Sequence, residues 1–168
     1  MNNQAKSFLL GILGLMLLEA CVYHDLDDPE IIDYTDETLF DEAQAGPFTY
    51  YRNGDFIPPA TQSAHSTFRL KFNSVAQGAL DANGELPKEG RFPDGSLVVK
   101  EVYNNSTLSI LSVMKKQSSD IHAREGWVWA EYHPDGRAAV SIQENGTYCV
   151  NCHGQSPQRD LVRTFDLH

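Results

Sequence analysis

The chain has 168 residues, a mass of 18.8 kDa and a formal net charge of -10, from 13 Lys and Arg against 23 Asp and Glu. This length suits one domain, and the negative charge argues against nucleic acid as a partner, because phosphate backbones are bound by basic surfaces. Hydrophobic residues make up 41% of the chain, so most of it can form a core. Three cysteines are too few for a disulfide scaffold, and each needs its own explanation.

Residues 1–20 are predicted to be an export signal. Their apolar run, Phe8 to Leu18, is shorter than the roughly 18 residues that a membrane span needs. The segment Leu18-Glu19-Ala20-Cys21 resembles a bacterial lipobox, although Glu19 replaces the small or β-branched residue usual there. We expect a lipid on Cys21 and a protein anchored to the membrane, in the periplasm or at the cell surface. An ordinary cleaved signal and an uncleaved anchor are the alternatives.

The next segment, residues 21–46, is strongly acidic. It contains no Lys or Arg and nine acidic residues, whereas residues 47–168 have a net charge of only -1. We interpret 21–46 as a solvated tether between the anchor and a domain at 47–168, with an interaction tail as the alternative.

Within residues 47–168, alternating hydrophobicity predicts an antiparallel β-sheet with a few helices, an α+β fold. The predicted strands are Phe68–Phe72, Leu97–Tyr103, Thr107–Met114, Trp127–Tyr132 and Arg137–Ile142. Turn residues at Asn104-Asn105 and Pro134-Asp135-Gly136 join two pairs of them. Short helices are predicted over Ser74–Leu80 and around Cys149–His153, with mostly turns over 81–95.

The sequence Cys149-Val150-Asn151-Cys152-His153 is the motif that carries chemistry. In C-x-x-C-H the two thiols lie about one helical turn apart and can bond the two vinyl groups of a haem, while the histidine binds the iron. The spacing therefore predicts one covalent haem c, with His153 as the metal ligand. A zinc site, a redox-active cysteine pair and a structural disulfide are weaker readings, because a second ligand pair and a βαβ setting are missing.

No sixth iron ligand is evident in the sequence. No methionine follows His153, and Met114 lies in a predicted strand and is expected in the core. The other histidines are expected at the surface or at the frayed C-terminus: His65, His122, His133 and His168. An open distal face favours binding of a small molecule at iron over simple electron relay.

Several segments together resemble the cytochrome P460 family, including its cytochrome c′-β relatives. The matching segments are Arg91–Glu101, Val113–Lys115, Gly126–Trp129, Cys149–His153 and Asp160–Val162, and their order and spacing agree with the family from about Phe68 onwards. The resemblance implies a mono-haem c protein on an antiparallel sheet, with proximal ligation by His153 and five-coordinate ferrous iron.

The resemblance also assigns a role to Lys100, which occupies the lysine position of F-x-D-G-x-x-x-x-K. In P460 enzymes that lysine is bonded to the haem macrocycle. The pattern agrees, because Lys100 is the polar residue on a strand face that it shares with Val98 and Val102. A lysine on an apolar face is costly unless it is bonded or reaches water. Proximity to haem and an edge lysine reaching solvent are the two interpretations.

Two further positions are expected at the distal pocket. In hydroxylamine-oxidising relatives a distal carboxylate removes protons, and our register places Leu111 there, which cannot act as a base. This predicts an apolar gas-binding pocket of the cytochrome c′-β kind. Phe92 matches an aromatic position that caps the pocket in relatives, with ordinary core packing as the alternative.

Three functions follow from this reading. The first is binding of nitric oxide or a similar diatomic, the second is turnover of hydroxylamine or nitric oxide, and the third is electron transfer through an unrecognised sixth ligand. Whether the protein is an enzyme stays open at this point, as do its redox partner and a homodimeric state.

Overall fold

Six strands form a single sheet in which every strand pairs antiparallel with its neighbours in the chain. The structure is a computed structural model that describes residues 33–61, 63–155 and 159–168. The strands are β1 (Thr49–Tyr50), β2 (Thr67–Phe72), β3 (Leu97–Asn104), β4 (Thr107–Lys116), β5 (Trp127–Tyr132) and β6 (Ala138–Val140). The four helices in these ranges are α1 (Asp36–Gln44), α2 (Ser74–Gln77), α3 (Thr147–His153) and α4 (Thr164–Leu167). Two 3₁₀ turns, Tyr51–Gly54 and Ile142–Glu144, complete the described elements.

The predicted α+β class is confirmed, and the five predicted strands correspond to β2 to β6. The agreement is closest for β5, whose bounds match, and poorest for β6, which is shorter than predicted. The short strand β1 and the helix α1 were not predicted. The predicted signal at 1–20 and the lipidation site Cys21 lie outside the described residues.

The sheet separates two cores, because successive side chains of a strand point to opposite faces. The face that carries Val98, Lys100 and Val102 is called the pocket face here, and its core includes the aromatic side chains of Phe68, Phe72, Phe92, Trp127 and Trp129. The opposite face, called the helix face, carries Leu97 and Val99 against α1.

Helix α1 corrects the predicted boundary between tether and domain at 46/47. Leu39 and Ala43, one helical turn apart, are fully buried in the helix-face core. Thr35 caps the helix, because its hydroxyl accepts the backbone N–H of Thr38 and the Thr38 hydroxyl accepts the backbone N–H of Thr35. Residues 36–44 are therefore part of the domain, whose compact unit is Ile31–His168.

Two acids predicted to be solvated tether charges are bound to the rest of the domain. The carboxylate of Asp36 accepts hydrogen bonds from the Ser141 hydroxyl at 2.6 Å and from the backbone N–H of Ile142 at 3.0 Å. Glu42 pairs with the buried Nζ of Lys115 at 2.5 Å. These contacts help to hold α1 against the rest of the domain.

None of the helices in the described ranges has the length and apolar composition needed to cross a bilayer.

Candidate haem-binding site

A cavity of about 480 Å³ opens on the pocket face of the sheet, which is within the size range of small-molecule and cofactor pockets. Its sheet wall is formed by side chains of β3, β4 and β5: Lys100 and Val102, Ile110 and Ser112, Trp129 and Glu131. Helix α3 and the C-terminal residues close the other sides, and the loop before β2 covers part of the opening.

Helix α3 brings the predicted attachment residues to this cavity. Cys149, Cys152 and His153 all border it, and both thiols are free and half-buried. The helix begins after Gly146, whose φ of +57° is unfavourable for other residues. A Cβ at Gly146 would lie 2.2 Å from Cδ1 of Trp129, so the absence of a side chain lets α3 start directly against the sheet.

The His153 ring is held in one orientation by the backbone. Its Nδ1 lies 2.7 Å from the carbonyl oxygen of Leu161. Because a carbonyl only accepts, Nδ1 carries the proton and Nε2 keeps a free lone pair. Burial lowers the pKa of His153 to about 4, so the imidazole is neutral at pH 7. A neutral imidazole with a free Nε2 is the form that binds a metal.

Cys152, the second cysteine of the motif, lies next to the guanidinium of Arg163. Nη1 of Arg163 donates to the Cys152 carbonyl at 3.1 Å and lies 2.8 Å from Cys152 Sγ. Arg163 borders the cavity, and sequence reasoning did not single it out. Its guanidinium fixes the C-terminal end of α3 against the segment that follows.

Three polar side chains form a row across the sheet wall. Lys100 is opposite Ser112, and Ser112 is opposite Glu131. All three border the cavity, on a face whose other members are mainly apolar. The row therefore places an amine and a carboxylate on either side of a hydroxyl within one pocket.

Lys100 lies on the face that its sequence pattern predicted. Its Nζ is 4.3 Å from the centroid of the Phe68 ring, and burial lowers its pKa to about 8. Lys115 and Lys116 instead bind Glu42 and Asp160. Of these three lysines, Lys100 is the one that borders the cavity.

Glu131 is a cavity carboxylate that sequence reasoning missed. Burial raises its pKa, while the Ser112 hydroxyl and the charge of Lys100 oppose that rise. Its Oε1 lies 3.6 Å from Nδ1 of His65, whose own pKa is lowered to about 4 by burial. A base with a raised pKa next to a second titratable group is typical of functional sites.

Comparison with known families identifies the chain. The family model of cytochrome P460 matches residues 50–164. The chain belongs to the cytochrome P460 family. Among curated proteins, none matches the sequence. Membership of the P460 family implies a haem c cytochrome.

The residues at the cavity fit the cofactor that the P460 family implies. Two free thiols one helical turn apart and a neutral histidine border a single cavity of suitable size. The described ranges contain no group of three or more His, Cys, Asp or Glu that could hold a metal ion by itself. One histidine beside two thiols suits a haem, in which the porphyrin supplies the other iron ligands.

The prediction that Leu111 occupies the distal position of P460 relatives is wrong. Leu111 lies on the helix face, packed in the core beneath α1.

The register error comes from a β-bulge in β4. Ile110 is opposite Val102 but Leu108 is opposite Tyr103, so Ser109 is an extra residue. Counting from the turn without this bulge would pair Lys100 with Leu111, whereas its partner is Ser112. One residue of shift moves a side chain to the other face.

Phe92 does not border the cavity, and its packing corresponds to the alternative interpretation. It is 2% exposed, with its ring centroid 6.4 Å from that of Phe72 and 5.6 Å from that of Trp127. These contacts bury it in the pocket-face core, so a capping role is not supported.

The histidine and methionine predictions had mixed outcomes. Met114 is buried in the pocket-face core as predicted. His65 and His168, by contrast, border the cavity, because the loop before β2 and the C-terminus fold over it. His122 lies outside the cavity and contacts Asn145 at 3.1 Å.

A sequence signal for Glu131 did exist. Trp127, Trp129 and Glu131 alternate along β5 and share one face, on which Glu131 is the single charged residue. The same argument that singled out Lys100 on β3 therefore applies to Glu131 on β5.

Proposed function

We propose that this member of the P460 family is an extracytoplasmic mono-haem c protein that binds and converts small nitrogen species, with hydroxylamine as the favoured substrate class. The observation that carries the proposal is Glu131, a half-buried carboxylate that faces the same cavity as the attachment motif. Because Glu131 gives the cavity a possible base, the absence of a base at Leu111 is no longer a reason to prefer gas binding without turnover.

In this proposal α3 holds the cofactor. Cys149 and Cys152 would form the thioether bonds, and His153 would be the proximal ligand through Nε2. Bound haem would supply an iron that could bind a substrate and accept electrons. The electrons removed from a substrate would pass to an external redox partner.

Glu131 would serve as the base. A substrate such as hydroxylamine carries N–H and O–H protons that must leave as it is oxidised, and a carboxylate with a raised pKa can accept them. His65, 3.6 Å away on the covering loop, is suited to pass a proton onward. Lys100 would lie beside the bound haem, and its lowered pKa makes a larger fraction of the amine neutral and nucleophilic than in an exposed lysine. A cross-link to the macrocycle would also need an external two-electron oxidant to take up the electrons released when the new bond forms.

The test of the base is Glu131→Gln, which keeps the shape and removes the charge. Loss of a positioned general base typically costs about 10²–10⁴-fold in rate, so hydroxylamine oxidation should fall accordingly while nitric oxide binding persists. In the unsubstituted protein the rate should rise with pH through the raised pKa of Glu131, because only the ionised form accepts a proton.

A matched control is Glu37→Gln, the same change at an exposed position on α1. It should leave turnover unchanged. Equal hydroxylamine turnover in the Glu131→Gln and unsubstituted proteins would refute the proposed role of the base.

Electron transfer is the second candidate function, because His65 borders the cavity and is neutral near pH 7. The optical spectrum of the ferrous protein separates the alternatives. Sharp α and β bands that disappear in His65→Ala would mean six-coordinate iron and electron transfer. A high-spin spectrum supports an open site, and a broadened, red-shifted Soret band indicates the Lys100 cross-link.

We also propose that Cys21 carries a lipid that anchors the protein to a membrane. The support is the short apolar run that ends at the lipobox-like Leu18-Glu19-Ala20-Cys21. Cys21→Ser should release the protein into the soluble fraction, and mass spectrometry of the membrane fraction should find a lipid-modified Cys21 at the N-terminus. An unmodified N-terminus elsewhere would contradict the anchor.

A further inference from the structure

The carbonyl that orients His153 belongs to a turn with an unusual backbone. Asp160 has φ of +48° and Leu161 has φ of +70°. The left-handed region is uncommon for residues other than glycine and unfavourable for leucine. Such conformations persist where the surrounding contacts impose them. The position of the Leu161 carbonyl therefore depends on what holds this turn.

The carboxylate of Asp160 ties the turn to the rest of the domain. Asp160 is 1% exposed. Its Oδ1 accepts hydrogen bonds from Lys116 Nζ at 3.0 Å and Arg91 Nη1 at 3.2 Å, and its Oδ2 accepts the backbone N–H of Phe92 at 2.9 Å. Lys116 ends β4, while Arg91 and Phe92 precede β3, so one side chain joins three parts of the chain.

The partner lysine needs this carboxylate in turn. Lys116 is 9% exposed and its Nζ lies 4.8 Å from the centroid of the Trp127 ring. A buried ammonium without a counterion is strongly unfavourable, so removing either member of the pair leaves an uncompensated charge. Loss of either member should therefore disturb the turn that Asp160 holds.

We propose that Asp160 is a positioning residue for the proximal histidine: it pins the 159–162 turn, which aims the Leu161 carbonyl at His153 Nδ1. An acceptor at Nδ1 makes the imidazole a stronger donor through Nε2. A stronger donor stabilises ferric iron relative to ferrous iron and lowers the reduction potential. The role requires that His153 binds the haem iron, and it is independent of the substrate.

The experiment uses the haem-loaded protein with either Asp160→Asn or Lys116→Gln. Two quantities are measured, the Fe(III)/Fe(II) reduction potential and the Fe–His stretching frequency of the ferrous form by resonance Raman spectroscopy. If the turn positions His153, both variants raise the potential and lower the frequency. A tenfold change in the relative affinity of the imidazole for the two oxidation states corresponds to about 59 mV.

The two variants separate positioning from simple electrostatics. Asp160→Asn removes a negative charge and Lys116→Gln removes a positive one, so a pure charge effect shifts the two potentials in opposite directions. Opposite shifts, or an unchanged Fe–His frequency in both variants, would overturn the proposal. Lys116→Arg keeps the cation and should restore the values of the unsubstituted protein.

Two further variants control for stability. Glu101→Gln removes another buried carboxylate, paired with Arg69 and Lys71 on the helix face, and should leave the Fe–His frequency unchanged.

Arg91→Gln replaces a mostly exposed partner of Asp160, so it preserves the fold if the buried variants do not. It should give a smaller shift in the same direction, and its failure to shift the frequency would count against the proposal. Absence of haem at His153 in the unsubstituted protein would instead refute the proposed function.

Discussion

Lys100 and Glu131 face one cavity from strands on either side of Ser112, and burial moves their pKa values towards each other. The pKa of Lys100 falls to about 8, and that of Glu131 rises above its usual value. Both groups are therefore closer to a change of protonation near neutral pH than exposed residues of their type. Groups tuned in this way are suited to proton transfer and to nucleophilic chemistry.

Lys100 gives a prediction for stability in alkaline solution. Its pKa is lowered from 10.5 to about 8 by burial, so between these values the unfolded chain binds a proton that the folded protein does not. Stability should then rise with pH over this range, by an amount on the order of 3 kcal/mol in total. Chemical denaturation of the haem-free protein at pH 8, 9 and 10 measures it.

The control for this prediction is Lys100→Met, which should remove the rise. Because other titrating groups are common to both proteins, the difference between them isolates Lys100. Identical pH dependence in the two proteins would mean that the amine is solvated in solution.

For single residues, the sequence alone could identify a site residue where one polar side chain interrupts the apolar face of its own strand. Lys100 was found in this way, and Glu131 could have been. Leu111 could not be placed, because its face depends on the bulge at Ser109, which is a property of the pairing between two strands. His65 was missed since the path of a loop over the cavity leaves no periodic signal.

At the scale of the elements, α3 has little support from its own packing. It has seven residues, no side-chain cap at its N-terminus and no fully buried residue. An isolated helix of this length is unstable in water. Its place is set instead by contacts at its two ends, with Trp129 against Gly146 and Arg163 on the carbonyl of Cys152.

Gly146→Ala is expected to displace α3. The new Cβ would meet the Trp129 ring at 2.2 Å and would sit at a positive φ, which together should cost about 2–4 kcal/mol. Haem incorporation should fall with it, because the two cysteines leave their positions at the cavity. Haem staining per mole of protein, together with thermal unfolding, measures both effects.

Gly78→Ala provides the comparison for this element. Gly78 has a right-handed conformation and room for a Cβ, with its nearest neighbour at 3.5 Å. Normal haem content is expected there. Equal haem content in the two variants would show that α3 can shift without losing the attachment geometry.

The helix α1 shows why an acidic segment was misread. Its charge predicted a solvated tether, but the apolar positions that matter are only two, Leu39 and Ala43, spaced by one helical turn. Whether such a sparse pattern folds depends on a partner surface, here the helix face of a sheet formed far later in the chain. Strands β2 to β5 of that sheet carried dense alternating patterns and were predicted to within about two residues of their ends.

For the whole molecule, the position of the domain boundary predicts the effect of truncation. A chain starting at Pro47, the predicted boundary, lacks α1 and exposes the helix-face core. Compared with a chain starting at Asp33, it should be less stable by at least the roughly 2–5 kcal/mol expected for losing one buried leucine. Denaturant unfolding of the two haem-loaded chains tests this.

Leu39→Ala in the longer chain serves as the internal standard. It should lose part of the stability that truncation loses and should leave the optical spectrum unchanged, because the haem-binding cavity is on the other face. Equal denaturant midpoints of unfolding for the two chain lengths would mean that α1 does not stabilise the domain.

The order of the strands in the sheet also has a kinetic consequence. Since every strand pairs with its neighbour in the chain, the sheet can grow hairpin by hairpin, and contacts between nearby residues form faster than distant ones. The segment from Thr147 onwards docks across a face built by β2 to β5, so it can find its place only after they have assembled. We therefore expect the attachment cysteines to be enclosed late, so that their thiols stay accessible while the sheet wall of the cavity already stands.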